Sequence, residues 1–175
     1  MRAKLLVVVV VLCGAVALAA CGGSGNAKSS SSSSGPTKAQ YVAGTAGICK
    51  STQARLTPLI GKLAGAAAQI LTGGSGAAAK AVPAVEQLQS IAASGLSRLR
   101  ALPQPAGDHA AIAKFLTPLS SIVDSIATVA SGLKKGQGAQ ALAQLQSDRT
   151  LAAQVTSAAK KYGLRQCETI FSALG

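Results

Sequence analysis

Three clusters of helix-breaking residues set the limits on how this chain can fold. Thr72-Gly73-Gly74-Ser75-Gly76, Pro103-Gln104-Pro105-Ala106-Gly107 and Lys134-Lys135-Gly136-Gln137-Gly138 divide everything after residue 36 into four stretches. Glycine, and proline twice in three residues, cannot continue a helix. Within each stretch the apolar residues recur at helical spacing. The first, about 37–71, carries Tyr41, Ile48, Leu56, Leu59, Leu63 and Ile70; the second, about 77–102, carries Val82, Val85, Leu88, Ala92, Leu99 and Leu102. The third has the clearest period, from Ile112 and Phe115 through Leu119, Ile122 and Ile126 to Val129 and Leu133, with Asp108 placed as its N-cap. The fourth, about 139–162, uses Leu142, Leu145, Ala152, Val155, Ala159 and Tyr162, with Gly163 as its C-cap. No alternating β-branched run follows residue 36. Four amphipathic helices joined by short loops predict an all-α fold, an up-down-up-down four-helix bundle. Pro58 and Pro118, each in a Leu-Thr-Pro-Leu context, are expected as tolerated kinks.

The first 36 residues obey different rules. Arg2 and Lys4 precede an apolar run from Leu5 to Ala20, interrupted only by Gly14. Roughly 16 residues fall short of the ~20 needed to cross a bilayer, and the layout is that of a secretory signal. Leu18-Ala19-Ala20-Cys21 resembles the lipobox of bacterial lipoproteins. That resemblance implies a diacylglycerol on the Cys21 thiol and cleavage before it, so residues 1–20 are a signal peptide. Stable anchoring takes two acyl chains, at ~0.8 kcal/mol per buried CH₂. Residues 21–36 then form a tether. The unbroken run Ser29 to Ser34 supplies no apolar surface to offset ordering entropy. The expected location is the cell membrane, lipid-anchored, on its extracytoplasmic face. The folded domain is 37–175.

The chain has four cysteines. Cys13 leaves with the signal peptide and Cys21 carries lipid. Cys49 and Cys167 remain, in a compartment that permits a disulfide; they form one bond or stay as two buried thiols. Two thiolates with His109 are too few for a metal site.

Little here points to enzyme chemistry. The five carboxylates, Glu86, Asp108, Asp124, Asp148 and Glu168, include no pair three or four residues apart. His109, the single histidine, sits beside a proline-rich turn with no catalytic partner in sequence. Gly-x-Ser-x-Gly and phosphate-loop motifs are absent, and no cofactor is indicated. Asp148 borders the apolar face of the fourth stretch, as a rim carboxylate or, if buried, one set against a basic residue.

Charge is the remaining sequence clue. The formal net charge is +12. An up-down-up-down bundle gathers Lys38, Lys50, Arg55, Arg98, Arg100, Lys114, Lys160, Lys161 and Arg165 at one pole, the pole from which the tether leaves. Of these, Lys38, Arg98, Arg100, Lys160, Lys161 and Arg165 are the residues expected to face the membrane. Anionic lipid and acidic envelope polymers are the partners nearest at hand. Export and scarce aromatic residues argue against nucleic acid. No protein partner is specified.

Three segments carry a wider resemblance: YVAGTAGICKSTQARL (Tyr41 to Leu56), LRALPQPAGD (Leu99 to Asp108) and YGLRQC (Tyr162 to Cys167). In this order behind a lipobox and serine tether, they resemble a broad group of small actinobacterial lipoproteins and secreted proteins, mostly uncharacterised helical domains. The resemblance implies that Cys49 pairs with Cys167 and that the chain ends near that cysteine. Glu168 to Gly175 runs past that ending. No reaction is implied. The expected role is a membrane-anchored binding or scaffolding module. The alternative is a carrier of a small apolar ligand, which a cavity lined by Leu59, Phe115, Leu119 and Ile122 would favour and a solid core would oppose.

Overall fold

A computed structural model describes residues 35–72 and 76–172 of the chain, without the side chains of 145–147 and 172. The signal segment, Cys21 and the tether up to residue 34 lie outside the described residues. Five helices follow in order: α1 (Lys38–Leu71), α2 (Ala77–Ala101), α3 (His109–Lys134), α4 (Gly138–Tyr162) and α5 (Arg165–Ser172). There is no strand among the described residues.

Local chemistry accounts for the helix ends. Thr37 opens α1 with a capping box: its hydroxyl accepts from Gln40 N–H at 3.3 Å, and Thr37 N–H donates back to Gln40 Oε1 at 2.8 Å. Gly163 ends α4 in the left-handed region (φ 94°), where a side chain would be strained, and Leu164 N–H then reaches back to the Ala159 carbonyl at 2.8 Å. Asp108 occupies the N-cap position of α3, but its backbone is helical and its side chain makes no cap bond. The expected position holds and only the side-chain cap is missing: the Asp108 carboxylate accepts the Tyr162 hydroxyl instead. Pro58 and Pro118 lie inside α1 and α3, and neither ends its helix. The tail after Cys167 continues α5 to Ser172.

Packing is uneven around the molecule. α1 lies against α2, α2 against α3, and α3 against α4, while α1 and α4 barely touch. α5 packs against both α1 and α4. Helix α3 is long and apolar enough to cross a membrane, but its apolar face is the core: Ile112, Phe115, Leu119, Ile126 and Val129 are all buried. Close approach depends on small residues. A Cβ at Gly95 of α2 would stand 2.9 Å from Thr52 Oγ1 of α1, and one at Gly138 of α4 would stand 2.9 Å from Ile70 Cγ2 of α1.

Candidate functional site

The weak contact between α1 and α4 leaves a gap that α5 only partly covers. What remains is a partly open cavity of about 410 Å³, within the ~300–1,000 Å³ typical of small-molecule sites. Helix α3 supplies its floor through Leu119, Ile122 and Val123. Leu56 and Ile60 of α1 and Leu88 of α2 form one wall, and Leu142 and Ala152 of α4 the other. Ile170 and Phe171 of α5 close one end. Ile60 and Leu71, also on the lining, are 37% and 76% exposed.

Two charged residues line this apolar space, Asp148 and Arg149. Asp148 is only 9% exposed, and one of its oxygens accepts the hydroxyl of buried Ser125 at 2.5 Å. The expectation of a rim carboxylate, or of one buried against a basic residue, is therefore corrected. The helix pitch turns Asp148 toward α3, where Ser125 interrupts the apolar face. Arg149, one position on, is exposed. Among the described residues the one ion pair is Lys134 with Glu86, at 2.6 Å on the surface.

The cysteines hold the end of the cavity in place. Cys49 and Cys167 form a disulfide with Cα atoms 5.1 Å apart, joining α1 to α5. Both are buried, Cys167 completely. Ile170 and Phe171 follow Cys167 by about one turn at 3.6 residues per turn, so the bond that fixes α5 also fixes these two side chains over the cavity.

Beside the disulfide lies a second polar group. Tyr41 and Tyr162 meet edge to face, with ring centroids 6.0 Å apart, and Lys38 Nζ stands 4.4 Å from the centre of the Tyr162 ring. Burial, then the hydrogen bond to Asp108 and the Asp108 charge, push the Tyr162 hydroxyl well above the usual tyrosine range. Burial also raises Tyr41; the Thr45 hydroxyl beside it offsets part of the shift without reaching hydrogen-bond geometry. These groups stabilise the fold around the disulfide and do not line the cavity.

The sequence-predicted residues divide between these places. Leu119 and Ile122 line the cavity; Leu59 and Phe115 are buried in the core and do not. Of the expected membrane-facing residues, Lys38 sits on Tyr162, Arg98 donates to Ser51 at 3.1 Å, and Arg100 donates to Ser120 at 2.8 Å. Lys160, Lys161 and Arg165 have exposed side chains at the turn from α4 into α5. His109 is exposed and its Nδ1 lies 2.8 Å from Gln104 Oε1. Sequence reasoning missed Ile170, Phe171 and the Ser125–Asp148 pair. A serine between Ile122 and Ile126 on an otherwise apolar stripe was the available signal for the pair.

The chain matches no family model, no curated protein and no solved structure.

Proposed function

We propose that the chain is an exported lipoprotein, anchored to the membrane through Cys21, that carries a small apolar ligand between its helices. The 410 Å³ cavity carries this reading over a pure scaffolding role, because its lining is almost wholly aliphatic and aromatic. The fold it implies is an up-down-up-down four-helix bundle with α5 inserted between α1 and α4. Contacts between helix ends support that topology: Lys38 with Tyr162, Gly44 with Leu102, Tyr162 with Asp108, and Ile70 with Gly138. The Gly/Ser-rich segment after Cys21 joins the anchor to the folded domain. The membrane-facing surface is the basic one around Lys160, Lys161 and Arg165, joined by Lys38, Arg98 and Arg100, and attracted to anionic lipid or acidic envelope polymers.

A neutral fluorescent dye such as N-phenyl-1-naphthylamine, dim in water and bright in apolar surroundings, tests the carrier reading. The dye is expected to brighten with the protein, and Leu119→Trp, which fills the floor of the cavity, to abolish the gain without unfolding the helices. A dye signal unchanged in Leu119→Trp overturns the reading. Two further measurements test the surroundings. Cys21→Ser is expected to leave the detergent phase or stay unprocessed. Anionic vesicles are expected to bind the unlipidated chain at low salt and lose it when Lys160, Lys161 and Arg165 become glutamine.

A further inference from the structure

Resting on the carrier reading, we infer that the cavity selects an amphiphile whose head group donates hydrogen bonds, a protonated amine above all and a hydroxyl next, and that Asp148 receives it. A carboxylate offers about four lone-pair sites. In this structure Ser125 occupies one of them, on Oδ2. The side chain is nine-tenths buried and lines an apolar space, yet no described cation pairs with it; the one ion pair among the described residues, Lys134 with Glu86, involves neither Asp148 nor Arg149. A buried carboxylate with unused acceptor capacity is costly until a donor reaches it. Among the described residues no side chain besides Ser125 does so, and the cavity is where a donor would enter.

The surroundings set the rest of the ligand. Leu119, Ile122 and Phe171 offer only apolar contact, which suits an alkyl chain. A fatty acid fits the same walls, but its head would set a second negative charge against Asp148. Arg149 offers no full compensation, because its side chain is exposed and its charge is screened by water. The cavity therefore discriminates by the sign and donor capacity of the head, and much less by the chain.

The test uses the chain from residue 21 onward with Cys21→Ser, in detergent-free buffer, and displaces the naphthylamine dye with dodecylamine, dodecanol or dodecanoate, each below its micelle concentration. Dodecylamine is expected to displace dye at a concentration at least about tenfold lower than dodecanoate, the ratio that a single charged hydrogen bond supports, with dodecanol between them. Asp148→Asn keeps a partner for Ser125 and removes the charge; it is expected to erase the lead of the amine. If Asp148→Asn does not fold, Ser125→Ala decides. It opens a further acceptor site on Asp148, and the lead of the amine should widen. Equal displacement by all three ligands in the parent chain, or a ranking unchanged by Asp148→Asn, overturns the selection by Asp148 and leaves the carrier reading standing. Failure of the dye itself to bind the parent chain overturns both.

Discussion

The core of this protein is two cores of opposite character. One gathers both tyrosines and both phenylalanines of the chain, Tyr41, Phe115, Tyr162 and Phe171, around the Cys49–Cys167 bond. The other is built of alanine, valine, isoleucine and leucine, with Ala81, Val85, Val129, Ala130, Leu133 and Ala141 at its centre and no aromatic ring. The first fills space with large side chains, a fifth helix and a covalent bond. The second relies on small residues that let helices approach. The cavity lies on the seam. Leu119 and Val123 of its floor belong to the first cluster, Ile126 to the second, and Ala92 and Ile122 pack against both. Bulky residues stop at this seam before α1 and α4 have closed on each other, and a space is left.

Breaking the disulfide gives the largest expected effect. The bond closes a separation of 118 residues, for which chain entropy alone predicts about 4–5 kcal/mol. Cys49→Ser with Cys167→Ser should lower the denaturant midpoint accordingly and weaken dye binding in the protein that still folds, because Ile170 and Phe171 lose their tie to α1. A loss below about 1 kcal/mol would mean that apolar packing alone closes the aromatic end.

Truncations sharpen the contrast. Phe115 is fully buried, and Phe115→Ala should cost about 3–5 kcal/mol in chemical denaturation. Leu133→Ala, among small neighbours that can move inward, should fall at the low end of its range, about 2–3 kcal/mol. Equal losses would erase the distinction between the two cores.

The tyrosine network gives a smaller effect with a pH signature. Tyr162→Phe removes a hydrogen bond to a carboxylate and should cost about 1.5–3 kcal/mol at neutral pH. Tyr162 and Tyr41 are raised in the folded protein, so above about pH 10 the unfolded chain gives up their protons first. Stability is therefore fully present below that pH and falls as pH rises through it, by up to about 1.4 kcal/mol per pH unit for each group. Denaturation between pH 8 and 11 should show a shallower fall in Tyr162→Phe than in the parent chain.

The smallest effect belongs to the aliphatic side. Lys134 and Glu86 are 58% and 46% exposed, and a double-mutant cycle should assign them less than about 1 kcal/mol, declining with salt.

Much of the fold was legible in the sequence because glycine and proline act locally. The breaks at 72–76, 103–107 and 134–138 place the helix ends to within a residue or two, and Gly163 ends α4 as its position suggested. Asp108 stands at the N-cap its position suggested, but its carboxylate goes to a distant competitor, Tyr162, that local sequence does not show. α5 was missed although Leu164, Cys167, Ile170 and Phe171 have helical spacing; eight residues are too few for a period to stand out. The site was the least legible part. Leu119 and Ile122 were expected to line a cavity, and Leu56, Leu88, Ile126, Leu142 and Ala152 stood on the expected apolar faces, but a cavity is side-chain volume that fails to meet, and no single stretch of sequence records it. The burial of Asp148 likewise depends on Ser125, which lies on another helix.

Native mass spectrometry of the protein released gently from its own membrane tests the central claim most directly. The account predicts two separable additions to the mass of the processed chain: a covalent one at Cys21 that survives denaturation, and a noncovalent one that is lost on denaturation and is absent from Leu119→Trp. A native mass equal to the denatured mass, with the cavity residues intact and the protein folded, would contradict it.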